Sequence, residues 1–133
     1  MTTMTISDAP AVEPVVQTIY EAIGGRPALK AAVDGLFARL IADPELGRFF
    51  PAGVGQVHRG FLITLLGEAL GGPERYRGPD LTVAHRGLSI SDAHFNRTAA
   101  LLDDTLVELG VPRDLIDQII GIVATLRSAV VSA

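Results

Sequence analysis

At 133 residues, with 48% apolar content and a net charge of −4, the chain suits a single domain with one packed core. Mild acidity without clustered Lys or Arg argues against a nucleic-acid surface and against a polybasic membrane anchor. The absence of cysteine excludes disulfides, thiolate nucleophiles and Cys-ligated zinc or iron–sulfur sites.

The first residues carry no basic segment followed by an apolar run, and no charge-poor apolar stretch reaches about 18 residues. A soluble, cytoplasmic protein is the expectation. Residues 1–14, small and polar with Pro10 and Pro14, read as a flexible extension ahead of one domain over 15–131.

Val16, Ile19, Tyr20 and Ile23 recur at three- and four-residue steps, which predicts a short one-faced helix stopped by Gly24-Gly25. Pro27 suits the first turn of a second helix, where its missing N–H costs nothing. Leu29, Val33, Leu36, Phe37, Leu40 and Ile41 give that helix an apolar stripe. Pro44 opens a short turn that carries Leu46, ends in Phe49-Phe50 and is closed by Pro51. A loop is expected over 52–56.

The next helix is predicted over 57–70, with Phe61, Leu62, Leu65, Leu66, Ala69 and Leu70 as its buried side. His58 falls on that side, three residues before Phe61 and four before Leu62. Gly60 and Gly67 each cost a helix about 1 kcal/mol against alanine, a hint that something flat or bulky approaches the backbone. Residues 71–80 read as loop around Tyr76, between Gly71-Gly72-Pro73 and Gly78-Pro79. A short segment over 81–86 then carries His85. Ser89 or Ser91 caps a long helix with His94, Phe95, Ala99, Leu102, Leu106 and Leu109 on its core face, ended by Gly110. Pro112 starts the last helix, with Leu115, Ile116, Ile119, Ile120, Val123 and Leu126 on its apolar side. No strand alternation and no repeat occurs, so the fold class is all-α.

The three histidines are the residues best suited to metal chemistry. His58 and His85 come from different elements, as two groups facing across a cavity would. Zinc spacing of the His-x-x-x-His type is absent, and a two-histidine site would need a carboxylate such as Asp80 or Asp92. Neither a Gly-x-Ser-x-Gly elbow nor a phosphate loop is present. A haem needs one protein ligand, an apolar slot and an aromatic clamp, and the chain offers all three.

The order and spacing of several short motifs resemble a group I truncated haemoglobin, with its two-over-two globin fold. They are Ile19-Tyr20 with Ile23-Gly24-Gly25, Phe49-Phe50, Ala69-Leu70-Gly71-Gly72-Pro73, Tyr76 with Gly78, Ala84-His85-Arg86-Gly87-Leu88, His94-Phe95 and Gly110-Val111-Pro112. The resemblance implies haem b as cofactor, His85 as the proximal iron ligand, Phe50 packed on the porphyrin and His58 at the distal position nearest a bound gas. Phe37 and Leu62 would line the distal pocket, where many relatives carry tyrosine and glutamine. Both departures remove donors, which leaves His58 as the evident distal donor and argues against a nitric-oxide dioxygenase.

His58 could also bind iron itself as a sixth ligand. In some relatives a histidine in the place of His94 attaches to a haem vinyl group; packing beside Phe95 is the simpler reading here. Arg59, Arg77 and Arg86 are candidates to pair with haem propionates, and Tyr76 to touch the haem edge. The implied function is reversible binding of O2, NO or CO by a monomer or weak dimer. The alternatives are NO oxidation with electrons from a separate reductase, and electron transfer through a bis-histidyl haem.

Overall fold

The computed structural model describes residues 17–51 and 54–132, so the expected extension over 1–14 lies outside the described residues. The helices are α1 (Ile19–Ile23), α2 (Arg26–Ala42), α3 (Val54–Ala69), α4 (Leu81–His85), α5 (Asp92–Glu108), α6 (Arg113–Ala124) and α7 (Arg127–Val130), with a 3-10 turn at Gly47–Phe49. Among the described residues there is no strand.

Capping chemistry sets the helix ends. The Thr18 hydroxyl accepts the Glu21 N–H, and the Glu21 carboxylate accepts the Thr18 N–H in return, a reciprocal box that starts α1. Gly24, at φ 117°, ends it in a conformation that side chains rarely adopt. Helix α2 is the central element, packed on both α3 and α5, while α5 packs on α6. Its Leu29, Val33, Leu36, Phe37 and Leu40 are all buried, as the stripe predicts. Ile41, expected in the same stripe, is 59% exposed. Leu102 and Leu106 from α5 and Ile116 and Ile119 from α6 close the core from the other side.

Three expectations need correction. Helix α3 begins at Val54, so Val54, Gly55 and Gln56 are helical where a loop was expected; Ala52 and Gly53 lie outside the described residues. The side of α3 that reads as buried divides in two. Leu66 and Leu70 join the core, together with Ile63 from outside the pattern, whereas His58, Phe61 and Leu65 face a cavity, Leu62 and Leu66 border both, and Ala69 is exposed. The last helical pattern breaks: Thr125 bonds back to the Ile122 carbonyl through both its N–H and its hydroxyl, tightening the turn, and α7 sets off separately to pack on α4.

The two helical glycines have different surroundings. A Cβ at Gly67 would come within 2.6 Å of the Glu74 carboxylate, so the approaching group is that side chain and not a flat cofactor. At Gly60 no protein atom lies within 4 Å of the position a Cβ would take. Glu74 is the anchor of the following loop. Burial alone would raise its carboxyl, but its own backbone N–H, the Tyr20 hydroxyl and Arg26 hold it below the ordinary value. Tyr20 thus ties α1 to the Gly71-Gly72 turn, its N–H donating to the Leu70 carbonyl and its hydroxyl to Glu74.

Candidate functional site

A cavity of about 530 Å³ opens between α3, α4, the start of α5 and the end of the chain, within the range of small-molecule and cofactor sites. Its walls are mostly aliphatic and aromatic, with His58, Tyr76, His85, His94 and Thr98 as its polar side chains.

His85 ends the single turn of α4. Asp80 starts that turn by accepting the Thr82 and Val83 N–H groups through one carboxylate oxygen. Asp92 is paired with Arg127 at 3.0 Å, and no group of three or more potential ligands exists among the described residues. The His85 Nδ1–H donates to the Leu81 carbonyl at 2.7 Å. A carbonyl can only accept, so this bond places the ring proton on Nδ1 and leaves Nε2 with a free lone pair.

The segment carrying His85 is held from behind by the end of the chain. Helix α7 packs on α4, and the Ser132 N–H donates to the Ile90 carbonyl at 2.9 Å. Arg127 fastens α7 to α5 by bonds to Asp92 and Asn96 and by lying 4.6 Å over the Phe95 ring. Sequence reasoning missed this strap, because its bonds join residues more than 30 positions apart.

His58 stands opposite. Its ring centre is 6.3 Å from that of His85, with the two planes at 83°. Phe37 at 5.6 Å and Phe50 at 5.1 Å meet it edge-on, and Phe37 and Phe50 meet each other at 5.3 Å. Burial holds the His58 imidazole below its ordinary value, and the neighbouring His85 adds to this. The ring is therefore uncharged at neutral pH and carries one N–H.

The other predicted residues are placed as follows. Phe50 and Leu62 line the cavity; Phe37 is buried one layer behind and reaches the site through the His58 and Phe50 rings. Tyr76 lines the cavity, but its hydroxyl donates to the Pro79 carbonyl at 2.6 Å and its ring rests edge-on against Phe61. Arg59 bonds to Asp34 at 2.8 Å and is not part of the cavity wall. Arg77 and Arg86 are exposed and make no ion pair among the described residues. His94, read as packing beside Phe95, lines the cavity, packs on Phe49 at 5.2 Å and has both ring nitrogens engaged.

The turn bearing Phe49 and Phe50 is built on Asp43. One carboxylate oxygen accepts the Glu45 and Leu46 N–H groups, and the other accepts from Arg97 on α5 at 2.6 Å. The Leu46 N–H above all, then Arg97, hold the Asp43 carboxyl below its usual value.

The bacterial-like globin family profile matches residues 18–132. A group 1 truncated haemoglobin of Mycolicibacterium paratuberculosis is 35% identical over 109 residues, which cover 82% of this chain and 80% of that one. The chain belongs to the group 1 truncated haemoglobins. It is therefore a haem-binding globin. The crystal structure of the truncated haemoglobin of Tetrahymena pyriformis in its Fe(III) form superposes on this globin with a TM-score of 0.83 at 32% identity, covering 88% of this chain and all of that one. The 2/2 haemoglobin of a Synechococcus species, in the cyanomet state and with covalently attached haem, gives 0.79 at 31% identity over 86% of this globin and 98% of that chain. These neighbours establish the all-α truncated globin fold that the sequence motifs imply. No helix among the described residues is long and apolar enough to cross a membrane.

Proposed function

We propose that this globin reversibly binds a diatomic gas, O2, NO or CO, at a haem b held by His85. The observation that carries the reading is the pair of imidazoles facing each other across an apolar cavity, one with a free Nε2 and the other uncharged. The cavity suits a macrocycle: its walls are apolar, its aromatic side chains cluster beside His58, and its strongest free donor atom is one imidazole nitrogen. When bound, the haem supplies an iron with a coordination position for the gas.

In this reading the Leu81 carbonyl fixes the tautomer and tilt of His85, which keeps Nε2 available to the metal. Phe50 offers its ring to the porphyrin, and Phe37 wedges behind it to restrict His58. His58 is the hydrogen-bond donor for the gas. Leu62 brings no donor, and Tyr76 keeps its hydroxyl on Pro79 and offers only its ring. Arg59 would have to exchange Asp34 for a propionate, whereas Arg77 and Arg86 are exposed and free of ion pairs among the described residues. His94, with both nitrogens engaged, favours a haem held without a covalent link.

The same distance favours a second reading of the resting state. Imidazole–metal bonds of about 2 Å, with half a ring beyond each, set ring centres about 6 Å apart. The observed 6.3 Å fits one metal ion between His58 and His85, as in a bis-histidyl protein. Ferrous spectra with and without CO, on the parent and on His58→Ala, test both readings. Gas binding predicts a Soret band after haem addition that moves on CO exposure. A low-spin ferrous form that becomes high-spin in His58→Ala assigns His58 to the iron; a high-spin parent leaves it as donor alone. Failure to develop a Soret band after haem addition would overturn the proposal.

A further inference from the structure

The His94 side chain closes a capping box in the position where glutamate or glutamine is usual. The His94 N–H donates to the Ser91 hydroxyl at 3.1 Å, and the Ser91 N–H donates back to His94 Nδ1 at 3.0 Å. An acceptor nitrogen carries no proton, so the ring proton is on Nε2. That nitrogen is 3.1 Å from a Glu45 carboxylate oxygen and donates to it. Arg48 Nη2, 3.5 Å from Nε2, does not bond to it in this tautomer, since both are donors. Arg48 instead lies over the Phe49 ring at 4.6 Å, with its Nη2 3.7 Å from the Glu45 carboxylate.

The two ends of this bridge belong to two separate segments whose neighbouring residues, Ile90 and His94 on one and Leu46, Phe49 and Phe50 on the other, line the cavity. Ser91 ends the connector that leaves His85, a segment with no helix of its own and with Gly87 and Ser89 at positive φ. Glu45 belongs to the turn that carries Phe49 and Phe50, and the His94 ring packs edge-on against Phe49. The His94 side chain is only 14% exposed, whereas Glu45 is largely in solvent, so the imidazole is the fixed member of the pair.

We propose that His94 is a positioning residue: as the Nε2–H tautomer it ties the start of α5, and with it the connector leaving His85, to the Phe49-Phe50 turn, and so sets the separation of the two walls that grip the haem. The gripping role rests on the haem site proposed above; the tautomer and the bridge do not.

The test has two arms on the haem-loaded, CO-bound protein. The first is ¹⁵N NMR of the labelled histidines. The expected pattern for His94 is an unprotonated Nδ1 with its proton on Nε2. A proton on Nδ1, or rapid exchange between the two tautomers, would overturn the bridge whatever the haem does.

The second arm is the rate of haem transfer to an excess of apomyoglobin. His94→Leu fills the space but loses both bonds, and about tenfold faster transfer is expected. His94→Gln, which can accept with its oxygen and donate with its nitrogen, should return the rate to within about threefold of the parent. Glu45→Ala should raise it less than His94→Leu does, and adding Glu45→Ala to His94→Leu should change nothing further. If leucine performs as well as histidine, or glutamine no better than leucine, His94 is merely packing and the positioning role is refuted. Glu45→Ala, a surface change, keeps the question answerable should His94→Leu fold poorly, since a rate equal to the parent's would also count against the bridge.

Discussion

Replacing His58 with leucine should speed O2 release about ten- to a hundredfold and leave CO release nearly unchanged. His58 is placed to donate because burial, reinforced by His85, keeps its ring uncharged with a single N–H. The other polar side chains of the cavity are committed elsewhere: Tyr76 to Pro79, His85 to Leu81, His94 to Ser91 and Glu45, and Thr98 to the His94 carbonyl. Losing His58 therefore removes the one side-chain donor available to a ligand among the described residues of the cavity. A hydrogen bond to a partly charged oxygen is worth about 1.5–3 kcal/mol, and about 1.4 kcal/mol is a factor of ten. Bound CO carries much less charge and gains correspondingly little. Dissociation rate constants measured by stopped-flow ligand replacement separate the two gases and are insensitive to whether His58 competes for the iron. If both rates rise by the same factor, the substitution has only opened the pocket, and the donor role is wrong.

Leu62→Gln should do the converse, slowing O2 release about tenfold by adding a second donor on the wall where His58 stands, with CO again the control; equal slowing of both gases would point to a steric gate instead. Phe37→Ala should cost about 3–5 kcal/mol in denaturant unfolding of the cyanomet protein, since the ring is buried against Phe50 and His58; a midpoint close to the parent's would mean that the core collapses around the gap. Asp43 predicts an acid limb. Its carboxyl is lowered in the fold, so its contribution is full above its unfolded value and is lost as pH falls through the folded one. Thermal melts of Asp43→Asn should therefore depend less on pH on the acid side than those of the parent, and parallel curves would refute the assignment.

Much of the scaffold was legible because local periodicity and packing agree. The α2 stripe from Leu29 to Leu40 is buried along its length, even where Leu36 and Leu40 border the cavity, so its spacing in the sequence is its burial in the fold. Helix α3 shows where periodicity stops informing. His58, Phe61, Leu62 and Leu65 form a proper apolar face, but sequence spacing does not distinguish a face that meets protein from one that meets a cavity. The break between α6 and α7 was hidden for another reason: it depends on Thr125 bonding backward and on Arg127 reaching Asp92 and Asn96.

Within the site, His58, His85 and Phe50 were readable from motif order, and the structure brings them together. Arg59 was one of three candidate propionate partners, and no local signal reveals its bond to Asp34, 25 residues earlier. The bridge made by His94 had a readable half. Ser91 followed three residues later by a side chain with an acceptor nitrogen is a capping-box pattern, but histidine stands where glutamate or glutamine is normally sought. The other half, Glu45, lies 49 residues away and could come only from the fold.

The most direct test of the central claim is the absorption spectrum of His85→Gly after haem addition, taken with and without added imidazole. The variant should lose the parent's Soret and visible bands and retain haem poorly, and free imidazole should restore both by occupying the place of the missing ring. Parent-like bands and haem retention in His85→Gly without imidazole would contradict the claim.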